Sequence, residues 1–346
     1  MSPYAFSILL SSLSTGTVIT FISNHWFLAW MGLELNTLAM IPLMSKTHHP
    51  RATEAATKYF LMQAAASALL LFATTLNAWH TGEWTISHMQ STTPTLMLTI
   101  ALMIKLAIAP FHLWLPDVIQ GLDLVTCLIL LTWQKLAPMA LLIQIGPELN
   151  QTLLIIFSTL SIILGGWGGL NQSQLRKIMA FSSTAHLGWM TAVLIYSPQL
   201  VILNLMLYLM MTVAMFLMML NLSSTNINKM ATSWTKNSSL APMVMIILMS
   251  LGGLPPTSGF LPKWLILEEL VKQNMALIAF IMAMSALLSL FFYMRLAYTS
   301  SLTTPPTLQN SKLFWQLHKT NNKITPVIII FSTMLLPILP TILNLL

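Results

Sequence analysis

Apolar positions along this chain come in runs of about twenty residues separated by short polar stretches, not in the alternating or one-faced patterns of soluble strands and helices. About twenty helical residues cross ~30 Å of hydrocarbon, and about eleven runs here approach that length. The first two, roughly Pro3–Ile22 and His25–Met44, are joined only by Ser23–Asn24, so they are antiparallel neighbours. A third ends near Trp79, a fourth holds Lys105, and a fifth covers about Leu124–Ile145. Gln151–Leu170, Ile178–Tyr196 and Gln199–Leu220 follow. The ninth, roughly Leu240–Val271, is too long for one simple crossing and is interrupted at LGGLPPTSGFLPKW. Met275–Tyr298 and a last run from Ile324 to about Leu343 complete the set. The pattern predicts an all-α polytopic membrane protein.

Charge adds an orientation. Basic loop residues accumulate on the inner side of a membrane. An inner N-terminus places Lys46, Arg51, Lys58, Arg176, Lys177, Lys229, Lys236, Lys312, Lys319 and Lys323 inside, with Arg295 at an inner helix end and only Lys272 outside. An odd number of spans then leaves the C-terminus outside. The start, MSPYAFSILL, has no basic leader region and no small-residue cleavage site, and reads as the beginning of the first span.

Composition narrows the function. Hydrophobic residues make up 56% and charged residues 7% of the chain, against about 25% charged in soluble domains. The formal charge of +7 comes from dispersed basic residues, not from the single stripe of a nucleic-acid binder. Cys127 is the only cysteine, which excludes an internal disulfide, a cysteine-ligated iron–sulfur cluster and a cysteine-built zinc site. No motif for nicotinamide or flavin is present, and no cofactor is expected in this chain. Gly165–Gly169, GGWGG, lacks the strand, third glycine and acidic residue of a dinucleotide fingerprint, so close helix packing is its better account. Trp26, Trp79, Trp84 and Trp234 sit near span ends as interfacial anchors would. His48–His49 reads as a solvated pair, and KLFWQLHK at Lys312–Lys319 suits the membrane face or a neighbouring subunit.

The stretch Thr99–Asp117, TIALMIKLAIAPFHLWLPD, places a lysine inside an apolar run. Mid-membrane lysine costs roughly 2.5–3.5 kcal/mol on insertion scales, so by default it is paired, wetted or functional. Pro110 lacks a backbone N–H and crowds the carbonyl of Leu106, so a kink or break is expected there. His112 would share a face with Lys105 if the helix ran on through Pro110. A second interruption, with Pro255, Pro256, Gly259 and Pro262, precedes Lys263. Spans one to five and six to ten then read as two five-helix units, each with an interrupted fourth member. An odd number of spans per unit makes them inverted repeats, whose broken helices point to a transport site. The expected organisation is residues 1–148 and 149–299 for the two repeats, 300–323 for an inner connecting segment and 324–346 for a last helix.

Glu34, Lys105, Lys135, His186 and Lys263 are the embedded ionisable groups, with His112 a further candidate at the break. A buried amine whose carboxylate partner moves can load and release a proton near neutral pH. A swing of two to three pKa units is worth roughly 3–4 kcal/mol, enough to carry one charge against 100 mV at about 2.3 kcal/mol. The expected device is a relay Glu34–Lys105–Lys135–His186–Lys263 with water in the gaps. Simpler accounts stand beside it: Lys263 could snorkel to the interface, and His186 could be a satisfied core histidine.

Five stretches carry a resemblance over essentially the whole chain: WMGLELNTLAMIP, KLAIAPFHLWLPDV, TWQKLAP, SSTAHLGWM and GGLPPTSGFLPKW. With them the sequence resembles the antiporter-like membrane subunits of respiratory complex I, in their shortened animal form. The 26 methionines are similar to the usage of the mitochondrial code. The resemblance implies a subunit that helps to pump protons across the mitochondrial inner membrane, with a matrix-side N-terminus and an intermembrane-space C-terminus. It implies that Glu34, Lys105, Lys135 and Lys263 form a charged central axis. NADH, FMN, iron–sulfur clusters and ubiquinone would act in other subunits. Implied partners are further membrane-arm subunits, accessory subunits and phospholipids such as cardiolipin. A stand-alone cation/proton antiporter or a structural spacer without its own proton path would share much of this pattern.

Overall fold

The computed structural model describes residues 2–89, 91–232, 240–302 and 324–337. Within them the chain is a multi-pass helical membrane protein, and the only β-type pairings are two isolated bridges, His25 with Thr85 and Gln174 with Asn226. The helices are α1 Pro3–Ile22, α2 Trp26–Met44, α3 Pro50–Thr81, α4 Thr92–Leu106, α5 Trp114–Gly121, α6 Leu124–Leu131 and α7 Trp133–Ile145. They continue with α8 Gln151–Gly169, α9 Leu175–Ala192, α10 Pro198–Asn221, α11 Ile227–Ala231, α12 Leu240–Gly252, α13 Phe260–Lys272, α14 Ala276–Ala297 and α15 Ile324–Met334. Among the described residues seven stretches are long and apolar enough to cross a membrane: α1, α2, α3, the α6–α7 run, α8, α10 and α14. The expected Lys105 and Lys263 spans are shorter pieces because their helices are interrupted.

Local chemistry sets the ends. Ser2 caps α1 ahead of Pro3, and His49 caps α3 ahead of Pro50, its Nδ1 accepting from the Arg51 N–H at 3.2 Å. Proline at the first helical position loses nothing, because that N–H would be unpaired anyway. His48 and His49 are both exposed, as a solvated pair would be.

The chain divides into two units, residues 1–161 with 194–198, and residues 162–193 with 199–346. In the first, α1 and α2 cross closely at Gly16 and Gly32, where a Cβ on either would stand under 3 Å from the other's carbonyl oxygen. Such small-residue crossings let membrane helices approach backbone to backbone. One end of this unit gathers the end of α1, the start of α2 and the end of α7. There Trp26 donates its backbone N–H to Trp84 O at 3.0 Å, Met89 N–H reaches the Glu148 carboxylate at 2.6 Å, and Gln144 reaches Phe21 O at 3.5 Å. The other end ties the start of α3 to α5, through Lys58 and Asp117 at 3.6 Å and Gly121 packed on Arg51. The broken α4–α5 element therefore crosses in the sense opposite to α3.

In the second unit, Arg295 of α14 donates to Leu170 O at 2.6 Å and Gln172 O at 2.7 Å. The loop after α8 also pairs with the loop after α10, Leu175 N–H to Thr225 O at 3.0 Å and Ile227 N–H to Ser173 O at 3.1 Å. These contacts bring Arg176, Lys177 and Arg295 to one end of the unit. The GGWGG run packs as a small-residue surface, Gly165 against Thr184 and Ala185 of α9 and Gly166 against Leu288 of α14.

One anchor reading changes. Trp26 is buried, whereas Trp79 is exposed and Trp84 stacks on His25 with ring centroids 5.6 Å apart. The short Ser23–Asn24 turn folds the first indole inward. Trp234, Lys236, Lys312–Lys319, Lys323, the connecting segment over 303–323 and the final span beyond residue 337 lie outside the described residues.

Candidate functional site

Lys105 occupies the last turn of α4, and the break comes earlier than Pro110 alone suggests. Ala107 adopts a left-handed conformation with φ 58°. Its N–H bonds Ile104 O at 3.1 Å, and Ile108 N–H bonds Met103 O at 3.0 Å. This pair of bonds is the Schellman end of a helix, normally built on glycine. Trp114 Nε1 adds a bond to Ile104 O at 3.3 Å, serving a carbonyl that the broken helix exposes. The helix does not run through Pro110, so Lys105 and His112 do not share the face a continuous helix would give them. His112 is buried in the connection, its ring hydrogen-bonded to the Pro110 backbone.

A lysine in the last turn of a helix faces the negative end of the helix dipole. Lys105 is only 7% exposed, and its Nζ has no hydrogen-bond partner among the described residues. Glu34, half-buried on α2, also has an unpartnered buried oxygen, Oε2, and acts on Lys105 through space. Lys135 on α7 is 4% exposed. Three residues before it the α6–α7 run breaks at Thr132, whose hydroxyl bonds Leu128 O at 2.6 Å. Pro138, inside α7, cannot donate to the Gln134 carbonyl.

Lys105 and Lys135 line one cavity together with Asn36, Tyr59, Gln63 and Gln134. Its water-accessible volume is about 20 Å³, above the ~10–15 Å³ that one water needs. Asn36 is 2% exposed, and neither its amide nitrogen nor its oxygen has a partner among the described residues. A buried, unpaired polar group carries a desolvation cost of about 1–3 kcal/mol, and the cavity has room for a water that would offset it. The four uncharged polar residues escape a reading built on charge. Their signal is positional: Tyr59 and Gln63 stand four apart on α3, Asn36 lies two residues after Glu34, and Gln134 precedes Lys135.

In the second unit, His186 on α9 is buried, its ring 5.4 Å from the Tyr208 ring. Lys263, in the first turn of α13, is half-buried and donates to Gly252 O at 2.8 Å. It turns inward to the end of α12. That end repeats the α4 turn: Gly253, φ 78°, bonds Ser250 O at 3.0 Å and Leu254 N–H bonds Met249 O at 3.2 Å. Gly259 packs so tightly on Ser250 O that a Cβ would stand 1.8 Å away. The structure thus brings Lys105 and Lys135 around one cavity with Glu34 acting on Lys105, and in the other unit sets Lys263 on a broken helix end. Among the described residues no group of three or more His, Cys, Asp or Glu side chains could hold a metal ion.

Each unit sets an embedded lysine at a broken helix, an arrangement suited to moving an ion through a membrane. The family description "NADH:quinone oxidoreductase/Mrp antiporter, TM" matches residues 23–289, and "NADH dehydrogenase subunit 2 C-terminus" matches residues 290–343. The chain belongs to the NADH:quinone oxidoreductase/Mrp antiporter family. The NADH-ubiquinone oxidoreductase chain 2 of Xenopus laevis is 55% identical over 341 residues, 98% of this chain and 99% of that one. Its counterpart in Polypterus ornatipinnis is 54% identical over 344 residues, 99% of each chain. Among solved structures, a chain of respiratory complex I from Thermus thermophilus with bound aureothin has a TM-score of 0.84 at 23% identity, over 97% of this chain and 80% of that one. A chain of the Mrp complex from Dietzia sp. DQ12-45-1b has a TM-score of 0.77 at 18% identity, over 88% and 61%.

Proposed function

We propose that this chain is a proton-translocating membrane-arm subunit of an NADH:ubiquinone oxidoreductase in the mitochondrial inner membrane, with its N-terminus on the matrix side. It works beside other membrane-arm subunits, accessory subunits and phospholipids, while NADH and ubiquinone react elsewhere in the complex. The observation that carries this reading is the cavity shared by Lys105 and Lys135, with an unpartnered ammonium at a broken helix end and room for water. The curated relatives, named as chain 2 of that oxidoreductase across nearly their full length, supply the reaction to which it is coupled.

The mechanism follows from the residues. Glu34 biases the charge on Lys105, and a change in that carboxylate's position or charge alters how firmly Lys105 holds its proton. A released proton passes through the cavity to Lys135. In the second unit, His186 and Lys263 continue the path, and the α12 end holds the loaded ammonium. The two broken helices belong to inverted repeats at 1–148 and 149–299.

The test is Lys135→Ala in the assembled complex, in sealed vesicles, with NADH oxidation and proton uptake recorded together. Fewer protons taken up per NADH supports the reading. Unchanged uptake makes the chain a spacer. Sodium–proton exchange by the chain purified alone would instead make it an independent antiporter.

A further inference from the structure

Between His186 and Lys263 lies a set of buried hydroxyls that the relay of charged groups does not use. Tyr208 on α10 is 0% exposed and Tyr293 on α14 is 2% exposed. Across from them α9 presents Ser182, Ser183 and His186, which three- and four-residue spacing places on one helix face. Tyr208 hydrogen-bonds Ser183, and the Tyr293 hydroxyl lies toward Ser182 without closing a hydrogen bond. Both serine hydroxyls already donate to their own helix, Ser182 to Met179 O at 2.8 Å and Ser183 to Ala180 O at 2.7 Å. With their own protons so used they accept, and Tyr208 donates its O–H to Ser183.

The rings at the two ends of this set lie near the two ionisable groups. The His186 and Tyr208 rings are 5.4 Å apart. At the far end the Tyr293 ring lies against Gly252, where a Cβ would be 3.7 Å from Tyr293 Cδ2, and the Gly252 carbonyl accepts Lys263 Nζ at 2.8 Å. Tyr208 and Tyr293 also act on each other through space.

Resting on the proton-translocating reading above, we infer that Tyr208 and Tyr293 are hydroxyl relay residues carrying a proton between His186 and Lys263. The His186 imidazolium gives its N–H proton to the Tyr208 oxygen as Tyr208 releases its own O–H proton. The same exchange occurs at Tyr293, water spans the intervals between hydroxyls, and the last proton binds the Lys263 amine. Each hydroxyl ends with one proton, so the net change is one proton moved and no bond to carbon altered.

Phenylalanine keeps both rings and removes only the hydroxyls. Tyr208→Phe and Tyr293→Phe in the assembled complex should each slow proton uptake by about fivefold, the size of one lost hydrogen bond at the rate-limiting transfer. They should also change the ratio of uptake rates in H₂O and D₂O, which a merely structural role would not move. Ser183→Ala, which removes the acceptor of Tyr208 and leaves both rings in place, should fall in the same direction. Normal uptake and an unchanged isotope ratio in both tyrosine variants, beside impaired uptake in Lys263→Ala, would overturn the assignment and leave the wider reading standing. Normal uptake in Lys263→Ala as well would overturn that reading itself.

Discussion

Lys263 donates to the Gly252 carbonyl at 2.8 Å, reaching back across an interruption to the end of the helix before it. Lys105 sits at the matching end of its own broken helix, two residues before the left-handed turn, and has no hydrogen-bond partner for Nζ among the described residues. The two lysines stand near similar helix ends, on opposite sides of the break. One is held by a backbone carbonyl, whereas the other faces a cavity and is acted on through space by the Glu34 carboxylate.

The α12 end should depend on its glycines to different degrees. Gly253→Ala forces a left-handed alanine, at about 1–2 kcal/mol, and sets a Cβ 2.9 Å from both Cδ and Nζ of Lys263. The lysine must move, so uptake should fall while the complex still assembles. Gly259→Ala meets the Ser250 backbone itself, which has no flexible end to yield, and should prevent assembly. Native gel electrophoresis of the two variants, followed by an uptake assay, separates these outcomes.

Asn36 should matter to rate more than to folding. Asn36→Leu removes a buried amide that has no partner among the described residues, but it takes one polar group from the cavity lined by Lys105 and Lys135. Thermal stability should hold or rise slightly, and proton uptake should slow by on the order of tenfold, about 1.4 kcal/mol of barrier. Faster uptake, or none of this slowing, would remove water in that cavity from the path.

Packing, not charge, should hold α5 to α3. Lys58 meets Glu54 at 2.7 Å and Asp117 at 3.6 Å, but all three side chains are exposed and such pairs contribute little. Lys58→Met should leave the melting temperature of the complex unchanged. Gly121→Ala, whose Cβ would stand 2.5 Å from Arg51 O, should lower it clearly.

Much of this was legible in the sequence because charge is expensive in hydrocarbon, so each embedded ionisable residue stands out against an apolar run. The interruptions were legible for a similar reason, since proline and glycine mark where a helix ladder fails. Their exact edges were not: α4 ends at Leu106 through a left-handed Ala107, a residue type that gives no warning of such a turn. The break at Thr132 also lacks a local signal beyond Pro138, six residues on. The cavity was hidden because asparagine, glutamine and tyrosine are common on membrane helices, and only tertiary packing turns Asn36, Tyr59 and Gln134 toward one space. Trp26 shows the reverse case, a residue at a span end that folding carries inward.

The most direct measurement is the number of protons taken up per NADH oxidised by the assembled Lys105→Ala complex in sealed vesicles, with assembly confirmed first. The account predicts a lower number than in the unaltered complex, with or without slower NADH oxidation. An unchanged number, at normal oxidation rate, would contradict a proton path through Lys105.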